Sequence, residues 1–180
     1  MEIRDAIDLL RDAVGDSRGL WADLGAGTGT FTLALAQTLG AGSTVYAVDN
    51  DRGAVRALHE LESASGETRI IPVDADFSGP LSLPGLAGSS LDGILLANAL
   101  HFVRDQTRVL TQLVAMLRGG GRVVLVEYDR RQASQWVPHP IPASRWPALA
   151  VSAGLEGATI TARRPSMYSG VLYVGRAAKR

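Results

Sequence analysis

The sequence predicts an α/β domain built on a doubly wound, mostly parallel sheet, and three observations carry that expectation. Short apolar runs alternate with longer stretches whose apolar residues recur at helical spacing, five times over, before the chain closes with a strand pair. A glycine-rich turn, Gly25-Ala26-Gly27-Thr28-Gly29, joins the first run to the first such helix. Acidic residues follow the second and third runs, where a parallel sheet turns its C-terminal edge toward a ligand crevice.

Residues 3–14 place Ile3, Ile7, Leu10 and Val14 on one helical face, ending near Gly15. The run Leu20-Trp21-Ala22-Asp23-Leu24 is the first strand, and Thr30–Leu39 the helix after the glycine turn. A strand can reverse into a helix this quickly, with its backbone close to a ligand, only where side chains are absent and positive φ angles are free. Asp23 is expected to point a carboxylate into the crevice, where it would repel pyrophosphate and attract a cation. Ser43–Val48 is the second strand, and Asp49-Asn50-Asp51 closes it. Asp49 lies about 20 residues beyond the glycine turn, where an acidic side chain accepts hydrogen bonds from ribose hydroxyls. Asp51 is the N-cap of a helix over Gly53–Ser63, and His59 falls on that helix's polar side.

The third strand, Arg69–Val73, carries Pro72 near its end, which argues for a sheet edge. Ser78–Ser90 is rich in Gly, Pro and Ser and reads as a loop. Leu91–Ala97 is the fourth strand, and Asn98-Ala99-Leu100-His101-Phe102 leaves its C-terminal end. A helix is expected over Asp105–Arg118, stopped by Gly119-Gly120-Gly121, with the fifth strand at Arg122–Val126 followed by Glu127-Tyr128-Asp129. Three prolines between Pro138 and Pro142 exclude helix and central strand there. Trp136 and His139 are expected to wall a substrate pocket. A last helix over Ser144–Ala153, strands at Leu155–Ala162 and Tyr168–Val174, and a frayed tail from Ala177 complete the chain.

The composition narrows the function classes. At 180 residues without cysteine, the chain suits one domain with no disulfide framework. Lysine plus arginine equals aspartate plus glutamate at 18 each, so no global field draws it to nucleic acid or anionic lipid. No apolar run reaches the ~18 residues of a membrane span, and Met1-Glu2-Ile3-Arg4-Asp5 lacks the pattern of a signal peptide. The expected setting is cytoplasmic, as a monomer or homodimer.

The glycines depart from the dinucleotide fingerprint G-x-G-x-x-G, because the third comes one residue early and Thr30 stands in its place. Asp23-Leu24-Gly25-Ala26-Gly27-Thr28-Gly29 instead resembles the first motif of class I S-adenosylmethionine-dependent methyltransferases, and Asp74-Ala75 and the Asn98 segment resemble two further motifs. The resemblance spans Trp21 to about Val174. It implies a Rossmann-like seven-stranded sheet ordered 3-2-1-4-5-7-6 with the last strand antiparallel. It divides residues 1–180, one domain, into an N-terminal helical segment (1–18), a cofactor-binding core (19–129) and an acceptor-side region (130–180).

The same resemblance implies S-adenosyl-L-methionine as cofactor, S-adenosyl-L-homocysteine as product, and in-line methyl transfer to a small-molecule acceptor. Cofactor-binding residues are then Asp23, Gly25, Ala26, Gly27, Gly29, Asp49 on the ribose, Asn50 against adenine, Asp74 and Ala75 on the adenine edge, and Asn98. The candidate bases are His101, Glu127, Tyr128 and His139. No residue cluster has convincing spacing for a metal. Two alternatives stand beside this one: a cofactor-binding regulator without catalysis, and an NAD-dependent oxidoreductase.

Overall fold

In the computed structural model, which describes all residues except 17, 63–66, 87, 89 and 167–169, the apolar runs become seven strands. These are β1 (Leu20–Leu24), β2 (Thr44–Asp49), β3 (Arg69–Asp74), β4 (Leu91–Ala97), β5 (Leu117–Tyr128), β6 (Leu155–Pro165) and β7 (Val171–Lys179). They form one sheet in the order β3-β2-β1-β4-β5-β7-β6. Strands β1 to β5 are mutually parallel, and β7 runs antiparallel between β5 and β6. The chain order reverses between β1 and β4, so a crevice opens at the C-terminal ends of those two strands.

Both faces are covered. The helices are α1 (Ile3–Val14), α2 (Thr30–Leu39), α3 (Arg52–Leu61), α4 (Gln106–Ala115) and α5 (Trp146–Ser152). Along β4, Ile94 and Leu96 join the core under α4 and α5, while Leu95 and Ala97 join the core under α1 and α2. Val123 and Leu125 of β5 face the first core, and Val124 and Val126 the second. Runs apolar at every position are what a parallel sheet buried on both sides requires. The buried stripe of α1 is Ala6, Leu9, Leu10, Ala13 and Val14, rotated one step from the face the isoleucines suggest.

The expected cap at Asp51 is met, and Asp105 caps α4 as well. Asp51 Oδ1 accepts from the Ala54 N–H at 2.8 Å, and Asp105 Oδ1 from the Arg108 N–H at 3.1 Å. Pro72 lies on β3, whose only sheet neighbour is β2, so its missing N–H costs no ladder bond to a second neighbour. The expected ends at Ser63 and Tyr168, and part of the 78–90 loop, lie outside the described residues.

Several boundaries differ from expectation. Helix α4 stops at Ala115, and the glycine run lies inside β5 rather than ahead of it. Leu91 pairs with Leu117 and Gly93 with Arg122, so the intervening residues of β5 are accommodated as a bulge. Gly120 takes φ +74°, and a Cβ on Gly121 would lie 3.0 Å from the Leu91 carbonyl oxygen. The tail is ordered: Ala177 is buried and opposes Val123, and Lys179 opposes Leu155.

Trp146 anchors the α5 face, fully buried, with its indole over Gly175 of β7 so closely that a Cβ there would sit 2.7 Å from Nε1. Trp146→Ala is expected to cost about 3–5 kcal/mol through lost burial and a cavity the backbone cannot close. Urea unfolding measures this directly; a loss below about 1 kcal/mol would mean that α5 repacks freely.

Candidate active site

A cavity of about 1080 Å³ opens at the C-terminal ends of β1, β2, β4 and β5. The glycine turn forms its floor, and the three glycines serve different purposes. A Cβ on Gly25 would meet the Ala99 Cβ at 2.6 Å, and one on Gly29 would meet the Leu61 side chain at 2.1 Å. Gly27, at φ +55°, would meet nothing within 4 Å. Gly25 and Gly29 are therefore small because protein packs against them, whereas the space beside Gly27 belongs to the cavity.

Four of the turn's backbone donors are committed. The N–H groups of Gly25 and Ala26 donate to the Val48 carbonyl at 2.9 and 3.0 Å, and that of Gly29 to the Ala26 carbonyl at 3.0 Å. Gly27 N–H donates to Asp49 Oδ2 at 2.8 Å, and Asp51 N–H donates to Asp49 Oδ1 at 2.9 Å. A pyrophosphate site needs free N–H donors at such a turn. Here the turn offers open space beside Asp49, whose carboxylate is held in place and keeps lone pairs for further donors.

Most expected cofactor residues converge on the cavity: Gly25, Ala26, Gly27, Gly29, Asp49, Asn50, Ala75 and Asn98 all line it. Asn98 is the single described non-glycine residue with positive φ, at +54°, and its Oδ1 is buried without a partner. A strained backbone carrying an orphaned acceptor is characteristic of a ligand position. Asp74 lies outside the lining and is exposed; Asp76 and Phe77, further along the same loop, take the wall.

Asp23 does not reach the crevice. It is fully buried beneath the turn, where Thr32 Oγ1 donates to its Oδ2 at 2.6 Å and Oδ1 has no partner. Burial pushes its carboxyl from 3.8 up to about 7, with the Thr32 hydrogen bond opposing and the nearby Asp49 charge reinforcing the rise. Strand residues alternate faces, and Asp23 pairs in register with Ala47 and Leu95, deep in the sheet.

Of the candidate bases, Tyr128 lines the cavity. His101 and Glu127 stand just behind the wall as a buried pair, with Nδ1 and Oε2 2.6 Å apart. Glu127 Oε1 also accepts the His101 N–H at 3.1 Å, so the end of β5 fixes the loop after β4. His139 and Trp136 are corrections: neither lines the cavity, and Trp136 is 74% exposed. The proline segment is instead strapped to the β4 loop, with His139 N–H donating to the His101 carbonyl and Gln106 Nε2 to the His139 carbonyl. That fixes the segment's backbone beside the loop and leaves both side chains off the cavity wall.

Sequence reading missed Phe102, Arg104, Arg164 and Leu172, which complete the wall with the first turn of α1. For Arg164 and Leu172 no local signal exists, because the β6–β7 register sets their place. The cavity's arginines differ in commitment. Arg164 pairs with Asp5 at 2.7 Å, and Arg108 donates to Gln112 and to the Ser78 carbonyl. Arg104 has no hydrogen bond or ion pair to any described residue. Among the described residues, no group of three or more metal-binding side chains occurs, and no helix is long and apolar enough to cross a membrane.

A doubly wound sheet with a glycine turn at its switch point and an acidic residue ending β2 defines a nucleoside-binding cleft of the methyltransferase type. Residues 22–125 match the methyltransferase domain family, and the chain belongs to that family, as a class I S-adenosylmethionine-dependent methyltransferase domain. It is 33% identical over 119 residues to an uncharacterized methyltransferase of Mycobacterium bovis, covering 64% of this chain and 42% of that protein. It is 34% identical over 110 residues to fumosorinone synthetase of Cordyceps fumosorosea, covering 59% of this chain and 3% of that protein. The chain thus spans less than half the length of these curated relatives. Among solved structures, the 1,6-didemethyltoxoflavin-N1-methyltransferase of Burkholderia thailandensis, crystallised with its acceptor and S-adenosylhomocysteine, superposes with a TM-score of 0.75. It is 22% identical, with 98% of this chain and 77% of that one covered.

The Asp23 geometry has a pH consequence. Between about pH 4 and pH 7 the folded protein holds a proton that the unfolded chain has released, so stability falls as pH rises through that window. Asp23→Asn should flatten that part of the stability curve, measured by urea unfolding at several pH values. An undiminished slope in the variant would assign it to other groups.

Proposed function

We propose that this domain transfers a methyl group from S-adenosylmethionine to a small-molecule acceptor. The observation that carries the reading is at Gly27, where the turn leaves a Cβ-sized opening onto the cavity while its two neighbouring glycines are packed against protein. The residues present fit the cofactor: Asp49 is aimed and held for ribose hydroxyls, Ala75 and Phe77 offer a wall for the base, and the orphaned Asn98 Oδ1 awaits a donor. The third glycine of the turn, one residue early for the dinucleotide fingerprint, counts against the nicotinamide alternative.

When bound, the cofactor supplies an already activated methyl group, so the chain's task is orientation and, for an acceptor bearing a proton, its removal. The candidate proton acceptors are Tyr128, on the cavity wall, and the His101–Glu127 pair buried behind it. Glu127 holds the Nδ1 side of the His101 ring at 2.6 Å and accepts the His101 N–H, which fixes the loop after β4. In sequence His101 lies one residue from Phe102 and three from Asn98, both on the cavity wall. Tyr128 lines the cavity and orients the acceptor by its hydroxyl.

Thermal-shift measurements should show stabilisation by S-adenosylhomocysteine and none by NAD. Stabilisation by NAD alone would reverse the reading.

Glycine variants separate packing from ligand approach. Gly27→Ala should lower S-adenosylhomocysteine affinity on the order of tenfold or more, by placing a methyl group in ligand space, with a fold cost of only about 1 kcal/mol from its φ. Gly29→Ala should destabilise the ligand-free protein more strongly, because it collides with Leu61. Calorimetry and unfolding on both variants make the comparison; normal ligand affinity in Gly27→Ala would mean that nothing approaches the turn there.

A further inference from the structure

Beyond the cofactor end, the cavity wall carries a pairing that the methyl-transfer reading does not use. Phe102 is 60% exposed although it lines the cavity, and its inner side rests on the buried His101 ring, with centroids 4.3 Å apart. The two rings are tilted at 48°, so Phe102 touches protein on one side and keeps much of its ring exposed at the cavity wall. Val103 that follows is extended, at φ −86° and ψ 126°. Phe102 and Arg104, on either side of it, both line the cavity, with Cα atoms about 7 Å apart.

Arg104 is the cavity's uncommitted cation. Its neighbour Asp105 is occupied with capping α4, accepting from the Arg108 N–H at 3.1 Å and lying 3.8 Å from the Arg108 guanidinium. Asp76 accepts from the Ser78 N–H at 2.8 Å, and Asp5 holds Arg164. A guanidinium without a partner among the described residues, beside an exposed aromatic ring, matches a ligand with a carboxylate at one end of a flat apolar body.

We propose that the acceptor is an aromatic carboxylate, its ring laid on Phe102 and its carboxylate held by the Arg104 guanidinium. This rests on the methyltransferase reading of the cleft and specifies what that cleft takes. Phe102 sets the plane of the ring and Arg104 sets its direction, so the two together orient the opposite end of the acceptor toward the reacting centre.

The test uses matched pairs that differ only in charge: benzoate with benzamide, 2-naphthoate with 2-naphthamide, and indole-3-acetate with indole-3-acetamide. Their dissociation constants are measured by calorimetry on the protein saturated with S-adenosylhomocysteine. At least one acid should bind about tenfold or more tightly than its amide, with the preference falling as salt rises. Arg104→Gln should abolish the preference and leave S-adenosylhomocysteine affinity unchanged, and Phe102→Ala should weaken acid and amide alike. Equal binding of acid and amide, binding of neither in any pair, or a preference that survives Arg104→Gln would overturn the proposal. Loss of S-adenosylhomocysteine affinity in Arg104→Gln would also overturn it, by giving Arg104 to the cofactor's carboxylate. Failure of the unmodified protein to bind S-adenosylhomocysteine would instead remove the methyltransferase reading beneath it.

Discussion

At the end of β1 the backbone has to turn into α2 while three separate things press on it. Ala99 of the β4 loop packs against Gly25, Leu61 of α3 packs against Gly29, and Asp49 at the end of β2 draws the Gly27 N–H at 2.8 Å. The turn is thereby fixed on both flanks and open in the middle. Every other feature of the cleft depends on this arrangement, because it sets the floor level against which Asp49, Asn98 and the loop after β3 are placed. The hydrogen bond from Gly27 to Asp49 gives one carboxylate two tasks, shaping the empty turn and facing the crevice.

Much of this was legible in the sequence because it is local. The glycine spacing, the carboxylate ending β2, the proline on the edge strand and the N-cap Asp51 each act within a few residues of where they stand, and the structure places them as expected. What the sequence did not disclose depends on contacts between distant segments. Asp23 looked like a crevice residue because it precedes the glycines, yet strand alternation sends it under the turn to Thr32. His139 looked like a pocket histidine because its segment is stiff, yet the bonds to His101 and Gln106 fix only its backbone beside the β4 loop. The glycines at 119–121 looked like a helix stop because glycine usually is one; pairing of Leu91 with Leu117 turned them into a bulge inside β5.

The acceptor side shows the same division. Phe102 and Arg104 follow directly from the β4 loop, but their importance emerges only once the other arginines are seen to be engaged, Arg164 with Asp5 and Arg108 with Gln112 and Ser78. Behind them, the buried His101–Glu127 pair ties the β4 loop to the end of β5.

The central claim is that the opening at Gly27, between Asp49 and Asn98, is where the methyl donor lies. A crystal structure of the protein grown with S-adenosylhomocysteine tests it most directly. The account predicts the ligand's ribose on the Asp49 carboxylate and its amino-acid portion passing over Gly27, within hydrogen-bond reach of Asn98 Oδ1. Density for the ligand at another surface, or a cleft in which Asp49 and Asn98 touch only protein at saturating ligand, would contradict it.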